Sequence, residues 1–333
     1  MTRLLLLALT AFAAGCFGNP ATNAVAQTSA ADRFKASEAI YPPWQRGANN
    51  DAPNRGFEFT VPTADALADF HGSLDNPALV LYASGNYFFA MGPLVEAFGR
   101  EFPQYRGRVY YETLPPGLLL KQMDAGGTVT SGNMTWTIKP DVFLAERAAS
   151  NDLVQQKRLA APVVTFATND LAIMVAAGNP AHIDALADLA RPGLALAMPD
   201  PEFEGVARQI RASLVKAGGE ALAEKVYGLK VRAGETILTR IHHRQTPVLI
   251  MQHLVEAGVT WKSEAIFQEK IGNPIGRIGI PDDINTIAQY SAAMVADAPH
   301  PEAARAWLQF IGSEVAFAAF VPYGFKRFVG KAD

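Results

Sequence analysis

Polar and charged residues follow the stretches of sequence that predict buried strands. Five such segments cover residues 84–87, 112–114, 200–205, 242–246 and 260–261. In an α/β protein, ligands bind beyond the carboxyl ends of the strands, where loops lead into helices. We therefore expect a single cleft at these segments, with these candidate ligand-binding residues: Ser84, Asn86, Tyr87, Glu112, Thr113, Asp200, Glu202, Glu204, His242, His243, Arg244 and Trp261.

Three acids are clustered at Asp200, Glu202 and Glu204. In one interpretation Asp200 caps the next helix and the two glutamates complement its dipole. In the other, an acid faces the cleft and favours a metal ion, a metal complex, a cationic group or a sugar-like ligand. The spacing also imitates a calcium loop, but the twelfth position is Arg211 where that loop requires a glutamate. A calcium loop is therefore excluded.

His242, His243 and Arg244 precede the predicted helix cap Thr246 and its proline, Pro247. Neighbouring residues of a strand face opposite ways, so we expect at most one histidine to face a ligand. That histidine would bind an anion when protonated or a metal when neutral, or would instead bond nearby backbone. Arg244 is suited to two-pronged binding of an oxyanion or carboxylate, or is solvated.

Composition excludes several function classes. The net charge of −3 and the 18% of charged residues do not favour nucleic-acid binding. The sequence contains no GxSxG, P-loop, GxGxxG or HExxH motif, so no catalytic machinery is indicated. The single cysteine, Cys16, has no partner for an internal disulfide. We therefore expect neither catalysis nor a cofactor, and a fold held together by its core.

Apolar runs alternate between strand and helix patterns from residue 78 onward. Strands are predicted at residues 78–83, 109–111, 141–144, 171–175, 194–198 and 257–261. Helices are predicted between them, from residue 200 to about 216 and from 246 to 256, and later at 301–311 and 315–320. This alternation predicts an α/β fold with mostly parallel sheets flanked by helices. Residues 126–139 are expected to form either a lid over the cleft or a surface loop with a docked Trp136.

The N-terminus is typical of an export signal, with Arg3 before the apolar run at residues 4–14. Cleavage before Cys16 would leave a lipid-anchored cysteine, whereas cleavage after Ala26 would release a soluble form. Residues 1–26 are therefore assigned to export. Residues 27–56 are expected to be a tether whose second half, with Trp44 among paired prolines and Tyr41, docks on the protein.

An ordered set of segments resembles the molybdate-binding (ModA-like) group of type II periplasmic solute-binding proteins. The set comprises residues 169–176, 178–180, 186–193, 196–201, 256–259, 301–304, 310–311 and 323–325. The resemblance implies two lobes, residues 57–166 plus 265–333 and residues 167–264, which close on a ligand by a hinge. It also implies a periplasmic monomer that delivers its ligand to the membrane permease of an ABC importer.

The resemblance implies site residues as well. Ser84 lies where the family has a ligand-binding serine, although a helix cap would explain this serine equally well. A second family serine falls near Pro116, which has neither a hydroxyl nor a backbone N–H. The family's tyrosine falls near Trp261.

The predicted ligand is a small oxyanion of the molybdate, tungstate or sulfate kind. A metal ion or metal complex ranks second because of the acids, Glu112 included, and the histidine pair. An alternative function is a periplasmic sensory or accessory protein that presents its ligand to a membrane receptor.

Overall fold

The computed structural model describes residues 57–59, 70–131, 134–202, 204–239 and 244–330. The predictions for the export signal, Cys16 and the tether concern residues 1–56 and lie outside the described residues, as do His242 and His243.

The described strands confirm the α/β fold. They are β1 (Phe57–Phe59), β2 (Phe70–His71), β3 (Leu79–Ser84), β4 (Val109–Leu114), β5 (Thr128–Ser131), β6 (Met134–Thr137), β7 (Val142–Glu146), β8 (Leu159–Asn169), β9 (Leu171–Ala176), β10 (Leu196–Pro199), β11 (Thr236–Thr239), β12 (Ala257–Trp261), β13 (Ile275–Gly279), β14 (Ala288–Val295) and β15 (Lys326–Arg327).

Helices alternate with these strands along most of the chain. They are α1 (Phe88–Glu101), α2 (Pro116–Asp124), α3 (Arg147–Gln155), α4 (Val206–Glu224), α5 (Lys230–Arg232), α6 (Gln245–Met251), α7 (Lys262–Lys270), α8 (Pro301–Ile311) and α9 (Glu314–Phe317). Within α4 the helix is broken at Gly218 and Gly219, where Gly219 has a φ of +70°. This break falls just after the predicted end of the helix near Lys216.

Two helix starts differ from the prediction. A turn follows β10, in which the Glu202 N–H donates to the Asp200 side chain and the Glu204 N–H donates to the Asp200 carbonyl. Helix α4 therefore begins only after Gly205. Asp200 therefore caps this turn and not the helix. Similarly, α6 begins at Gln245 after Arg244, one residue before the predicted cap Thr246.

Two mixed sheets form the body of the molecule. The seven-stranded sheet has the order β15-β8-β14-β7-β3-β4-β2, and the five-stranded sheet has the order β11-β10-β12-β9-β13. Parallel pairing joins β7-β3-β4 in the first and β11-β10-β12 in the second. The other neighbours are antiparallel. The sheets are thus less uniformly parallel than predicted, because strands that return from the other sheet enter in the opposite direction.

Each sheet is the centre of one lobe. The first lobe surrounds the seven-stranded sheet, where every residue of β3 is buried, as expected for a strand covered on both faces. Phe98 of α1 packs edge-on against Trp307 of α8 with ring centroids 5.1 Å apart. The second lobe surrounds the five-stranded sheet, on which Ile237, Leu249 and Ile250 form a buried cluster.

The chain crosses between the lobes twice. It leaves the first lobe between β8 and β9 at Asp170, near the predicted boundary after residue 166. It returns through residues 280–287, between β13 and β14. This return lies later than the predicted residue 265, because β13 pairs with β9 in the second sheet.

Strands β5 and β6 pair with each other in antiparallel orientation, and β1 pairs with the other edge of β5. Trp136 Nε1 donates to Tyr110 Oη at 3.1 Å, and its ring meets Phe70 edge-on at 4.7 Å. The tryptophan therefore docks on the first lobe, in agreement with the second of the two expectations for residues 126–139.

Asn285 joins the two crossing segments. Its Oδ1 accepts the Leu171 N–H at 3.2 Å, and its Nδ2 donates to the Leu171 carbonyl at 3.0 Å. Asn285 is 5% exposed and Leu171 is fully buried. One amide side chain thus satisfies both backbone groups of the residue that enters the second lobe. Within the described ranges, no helix has the length and apolar character needed to cross a membrane.

Replacing Asn285 by alanine should lower the free energy of unfolding by about 1–3 kcal/mol, because the buried N–H and carbonyl of Leu171 lose their side-chain partner. Urea denaturation of both proteins measures the difference. Gln309→Ala, which truncates an exposed amide on α8, serves as the control and should change stability by no more than about 0.5 kcal/mol. Equal effects of the two substitutions would contradict the role of Asn285.

Candidate ligand-binding site

A cavity of about 280 Å³ lies between the two lobes. It is placed at the carboxyl ends of β3, β4 and β7 in the first lobe and of β10 and β12 in the second. Tyr290 of β14 contributes a wall. The lining residues are Ser84, Gly85, Asn86, Pro115, Pro116, Gly117, Leu120, Glu146, Ala149, Pro201, Glu202, Glu204, Gly205, Val206, Arg208, Trp261 and Tyr290.

Three helices begin at this cavity. Gly117 lies in the first turn of α2, Glu146 immediately precedes α3, and Gly205 immediately precedes α4. The first N–H groups of a helix have no acceptor within the helix, and the helix dipole makes this end positive. Because α2 starts with Pro116, its first position has no N–H. The remaining N–H groups make the cavity suited to negative or partly negative oxygen atoms.

Asn86 presents a buried amide to the cavity. It is 3% exposed, and neither its Oδ1 nor its Nδ2 has a hydrogen-bond partner among the described residues. Leaving a buried polar group unpaired costs about 1–3 kcal/mol. Such groups are rare in native proteins, and a bound ligand is one explanation for their retention. The Asn86 amide is therefore an unpaired donor and acceptor at the cavity.

Two aromatic residues line the inner side of the cavity. Trp261 and Tyr290 are 6% and 2% exposed, and their rings meet edge-on at 5.7 Å. Burial raises the pKa of the Tyr290 hydroxyl well above its ordinary value, and the nearby amides of Asn169 and Asn86 offset part of the rise. The hydroxyl therefore remains protonated at physiological pH.

Acidic and basic groups meet across the cavity. Glu146 of the first lobe accepts a hydrogen bond from Gln209 Nε2 of the second lobe at 2.8 Å. Burial raises the pKa of Glu146, whereas the charge of Arg208 and the Gln209 hydrogen bond act in the opposite direction. Glu204 is buried and accepts from Thr239 Oγ1 at 2.6 Å, while Glu202 is exposed.

Arg244 bridges the lobes behind the cavity. The side chain of this second-lobe residue is 2% exposed, and its Nη2 donates to the Thr113 carbonyl of the first lobe at 2.9 Å. Its guanidinium carbon lies 4.5 Å from the centroid of the Phe88 ring, a cation–π contact. Arg244 thus contacts two elements of the opposite lobe without lining the cavity.

The structure brings together part of the predicted set. Ser84, Asn86, Glu202, Glu204 and Trp261 line the cavity. Tyr87, Glu112, Thr113, Asp200 and Arg244 do not appear in its lining.

Two predicted residues have structural partners instead. Ser84 Oγ donates to the Leu144 carbonyl at 3.0 Å, so its proton is engaged within the sheet. Glu112 is fully buried and accepts from Tyr110 Oη and Gln122 Nε2 at 2.9 and 3.1 Å. Within the described residues, no group of three or more His, Cys, Asp or Glu side chains could hold a metal ion.

Sequence reasoning did not include Gly117, Glu146, Arg208 or Tyr290 in the site. Glu146 had a signal, since it follows the predicted strand at 141–144 in the same way that Ser84 and Glu112 follow theirs. Tyr290 had none, because strand β14 was not predicted. Arg208 lies in the first turn of α4, and its place in the lining depends on how the lobes meet.

The fold and the cavity between its lobes define a two-lobed periplasmic binding protein of type II. The sulfate-binding protein SubI from Mycobacterium tuberculosis H37Rv has a similar structure, with a TM-score of 0.61 and 19% identity over 75% of this chain and 85% of that chain. The periplasmic molybdate-binding protein of Azotobacter vinelandii has a TM-score of 0.59 and 14% identity, over 74% and 98% of the two chains.

Sequence comparison identifies the family. Residues 79–326 match the model of the bacterial extracellular solute-binding proteins, and the chain belongs to this family. The molybdate-binding protein ModA of Mycobacterium bovis is 34% identical over 114 residues, which are 34% of this chain. The match covers 41% of that relative's length. The resemblance to the ModA-like group is thereby confirmed.

Replacing Arg244 by alanine should lower the free energy of unfolding by at least about 1–3 kcal/mol, because the Thr113 carbonyl loses a buried donor and the lobes lose a contact. The measurement is guanidinium denaturation of the unliganded protein. Arg208→Ala is the matched control, since Arg208 is exposed and should contribute no more than about 0.5 kcal/mol. A larger effect at Arg208 than at Arg244 would refute this assignment.

Proposed function

We propose that the protein is the solute-binding component of an ABC importer and that it binds a small oxyanion in the cavity between its lobes. The observation that carries this proposal is the convergence of three helix N-termini, those of α2, α3 and α4, on a cavity that also contains the unpaired amide of Asn86. The names of the relatives, which bind molybdate and sulfate, agree with this ligand class.

The donors of the cavity suggest how an oxyanion would be held. Asn86 Nδ2 and the first-turn N–H groups at Gly117 and Gly205 would donate to its oxygen atoms. Arg208 would add a positive charge at the second lobe. Trp261 and Tyr290 would exclude water on the inner side, which strengthens these hydrogen bonds.

The remaining parts of the proposal follow from the family. The protein would act in the periplasm as a monomer, with a membrane permease as its partner and without catalysis of its own. Cleavage before Cys16 would anchor it to the membrane through a lipid. A metal ion or metal complex ranks second as the bound solute, because the described residues contain no group of three or more His, Cys, Asp or Glu side chains that could hold a metal. Cations are included in the test so that this alternative is measured as well.

A thermal-shift screen tests the ligand class. Sulfate, phosphate or molybdate should raise the melting temperature in proportion to the logarithm of its concentration, since a ligand at 100 times its Kd stabilises by about 2.7 kcal/mol. Chloride at equal ionic strength is the control. Stabilisation by a divalent cation, with no response to any oxyanion, would overturn the proposal.

The substitution Asn86→Ala separates a binding role from a structural one. It should weaken oxyanion binding at least tenfold without lowering the stability of the unliganded protein, because the amide has no partner to lose among the described residues. Isothermal titration and urea denaturation measure the two quantities. Asn151→Ala on α3, outside the cavity lining, should leave both unchanged. A loss of stability without a loss of affinity would assign Asn86 to the fold.

A further inference from the structure

We propose that the cavity prefers an oxyanion that retains a proton, such as hydrogen phosphate, over a fully deprotonated one, such as sulfate, and that Glu146 determines this preference. This inference rests on the proposed function. A carboxylate repels an anion, so its presence in an anion site needs an explanation, and this inference gives Glu146 a role in specificity.

The position of Glu146 is held from both lobes. The residue ends β7 in the first lobe and immediately precedes α3, and its Oε1 accepts from Gln209 Nε2 of α4 at 2.8 Å. Among the described residues, the Gln209 amide is the hydrogen-bond donor to this carboxylate. Glu146 lines the cavity, and its Oε2 is not used in the hydrogen bond to Gln209. An ionised carboxylate only accepts hydrogen bonds, so the group that meets it must donate one.

Asn86 imposes a similar requirement from the other side. Its buried amide has a donor, Nδ2, and an acceptor, Oδ1, and both are unpaired among the described residues. Sulfate has acceptors only, so it would pair with Nδ2 and could not donate to Oδ1, which would be left to the nearby Tyr290 hydroxyl. An oxyanion with one proton can satisfy both atoms, or Asn86 Nδ2 and the Glu146 carboxylate together.

The other charged groups around the cavity support the same conclusion. The described lining contains three carboxylates, those of Glu146, Glu202 and Glu204, and a single guanidinium, that of Arg208. Glu204 already accepts from Thr239, so Glu146 and Glu202 are the carboxylates nearest to open space. A dianion without a proton would face a carboxylate across a hydrogen-bond distance with no proton between them. A proton on the ligand converts this repulsive contact into a hydrogen bond.

Sulfate and hydrogen phosphate form a matched pair of probes, because at pH 8 both are tetrahedral dianions and they differ by one proton. Isothermal titration of the full chain at pH 8 should show hydrogen phosphate binding at least tenfold more tightly than sulfate. In Glu146→Gln the amide can donate to an anion, so the affinity for sulfate should rise at least tenfold and the preference should disappear or reverse. Glu302→Gln, an equal change of charge on the exposed first turn of α8, should leave the ratio of the two affinities unchanged.

The pH dependence of sulfate binding provides a second measurement that needs no variant. As the pH falls from 8 towards the pKa of Glu146, a growing fraction of this carboxyl group carries a proton and can donate, so sulfate should bind more tightly to the wild-type protein. Burial raises the pKa of Glu146, which brings its titration closer to pH 8. The charged or titratable groups near Glu146 are the Arg208 guanidinium and the Tyr290 hydroxyl, and burial raises the pKa of that hydroxyl well above its ordinary value. Glu202 and Glu204 lie on the opposite loop. Subtracting the profile of Glu146→Gln isolates the contribution of Glu146.

The outcomes separate the two proposals. Equal affinities, or tighter binding of sulfate by the wild-type protein at pH 8, would refute the role of Glu146 and leave the oxyanion proposal intact. The same holds if Glu146→Gln melts like the wild type but keeps the preference for phosphate. If sulfate, hydrogen phosphate and molybdate all fail to bind either protein at millimolar concentration, the oxyanion proposal itself fails.

Discussion

The architecture depends on how two polypeptide crossings are fixed relative to each other. Asn285 of the returning segment bonds both backbone groups of Leu171 on the outgoing segment, in a buried environment. Because each sheet is connected to the other through these crossings, this joint determines how the lobes face each other. The carboxyl ends of the parallel strands in both lobes consequently open into one cavity, and helices α2, α3 and α4 begin there.

The groups that could donate hydrogen bonds into the cavity are only in part the ones that the sequence suggested. The sequence suggested a hydroxyl, Ser84, as an oxyanion donor, but the hydroxyl proton is engaged with the Leu144 carbonyl. The amide of Asn86, two residues later, and the Tyr290 hydroxyl are cavity-lining groups without a hydrogen-bond partner among the described residues. The resemblance implied a second serine near Pro116, and the proposed site would use backbone N–H groups there in place of a hydroxyl. Such a site would depend on helix placement more than on side-chain identity.

Much of the fold could be predicted from sequence patterns. The apolar run at 257–261 is β12 with unchanged bounds, and the helix at 301–311 is α8. Strand β14 escaped prediction because its sequence, AQYSAAMV, consists largely of small residues whose burial comes from the strands β7 and β8 on either side. Strands β5 and β6 are rich in threonine and resemble a polar loop in sequence.

The candidate site was less predictable than the fold for a physical reason. Patterns located the loops after β3, β10 and β12, because the ends of strands can be read from hydrophobic runs. Which side chain within a loop faces the ligand depends on packing between the lobes. Glu112 lies inside β4, which is longer than predicted, and accepts hydrogen bonds from Tyr110 and Gln122. Glu146 is the last residue of β7 and meets the second lobe.

Arg244 has a consequence for the energetics of ligand capture. Its contacts with Thr113 and Phe88 join the lobes through groups that line no part of the cavity. They therefore stabilise the observed arrangement of the lobes whatever the cavity contains. The apparent affinity of a ligand scales with the fraction of molecules that are in the binding-competent state. If a solute binds to this arrangement, the Arg244 contacts would increase the competent fraction before the solute arrives.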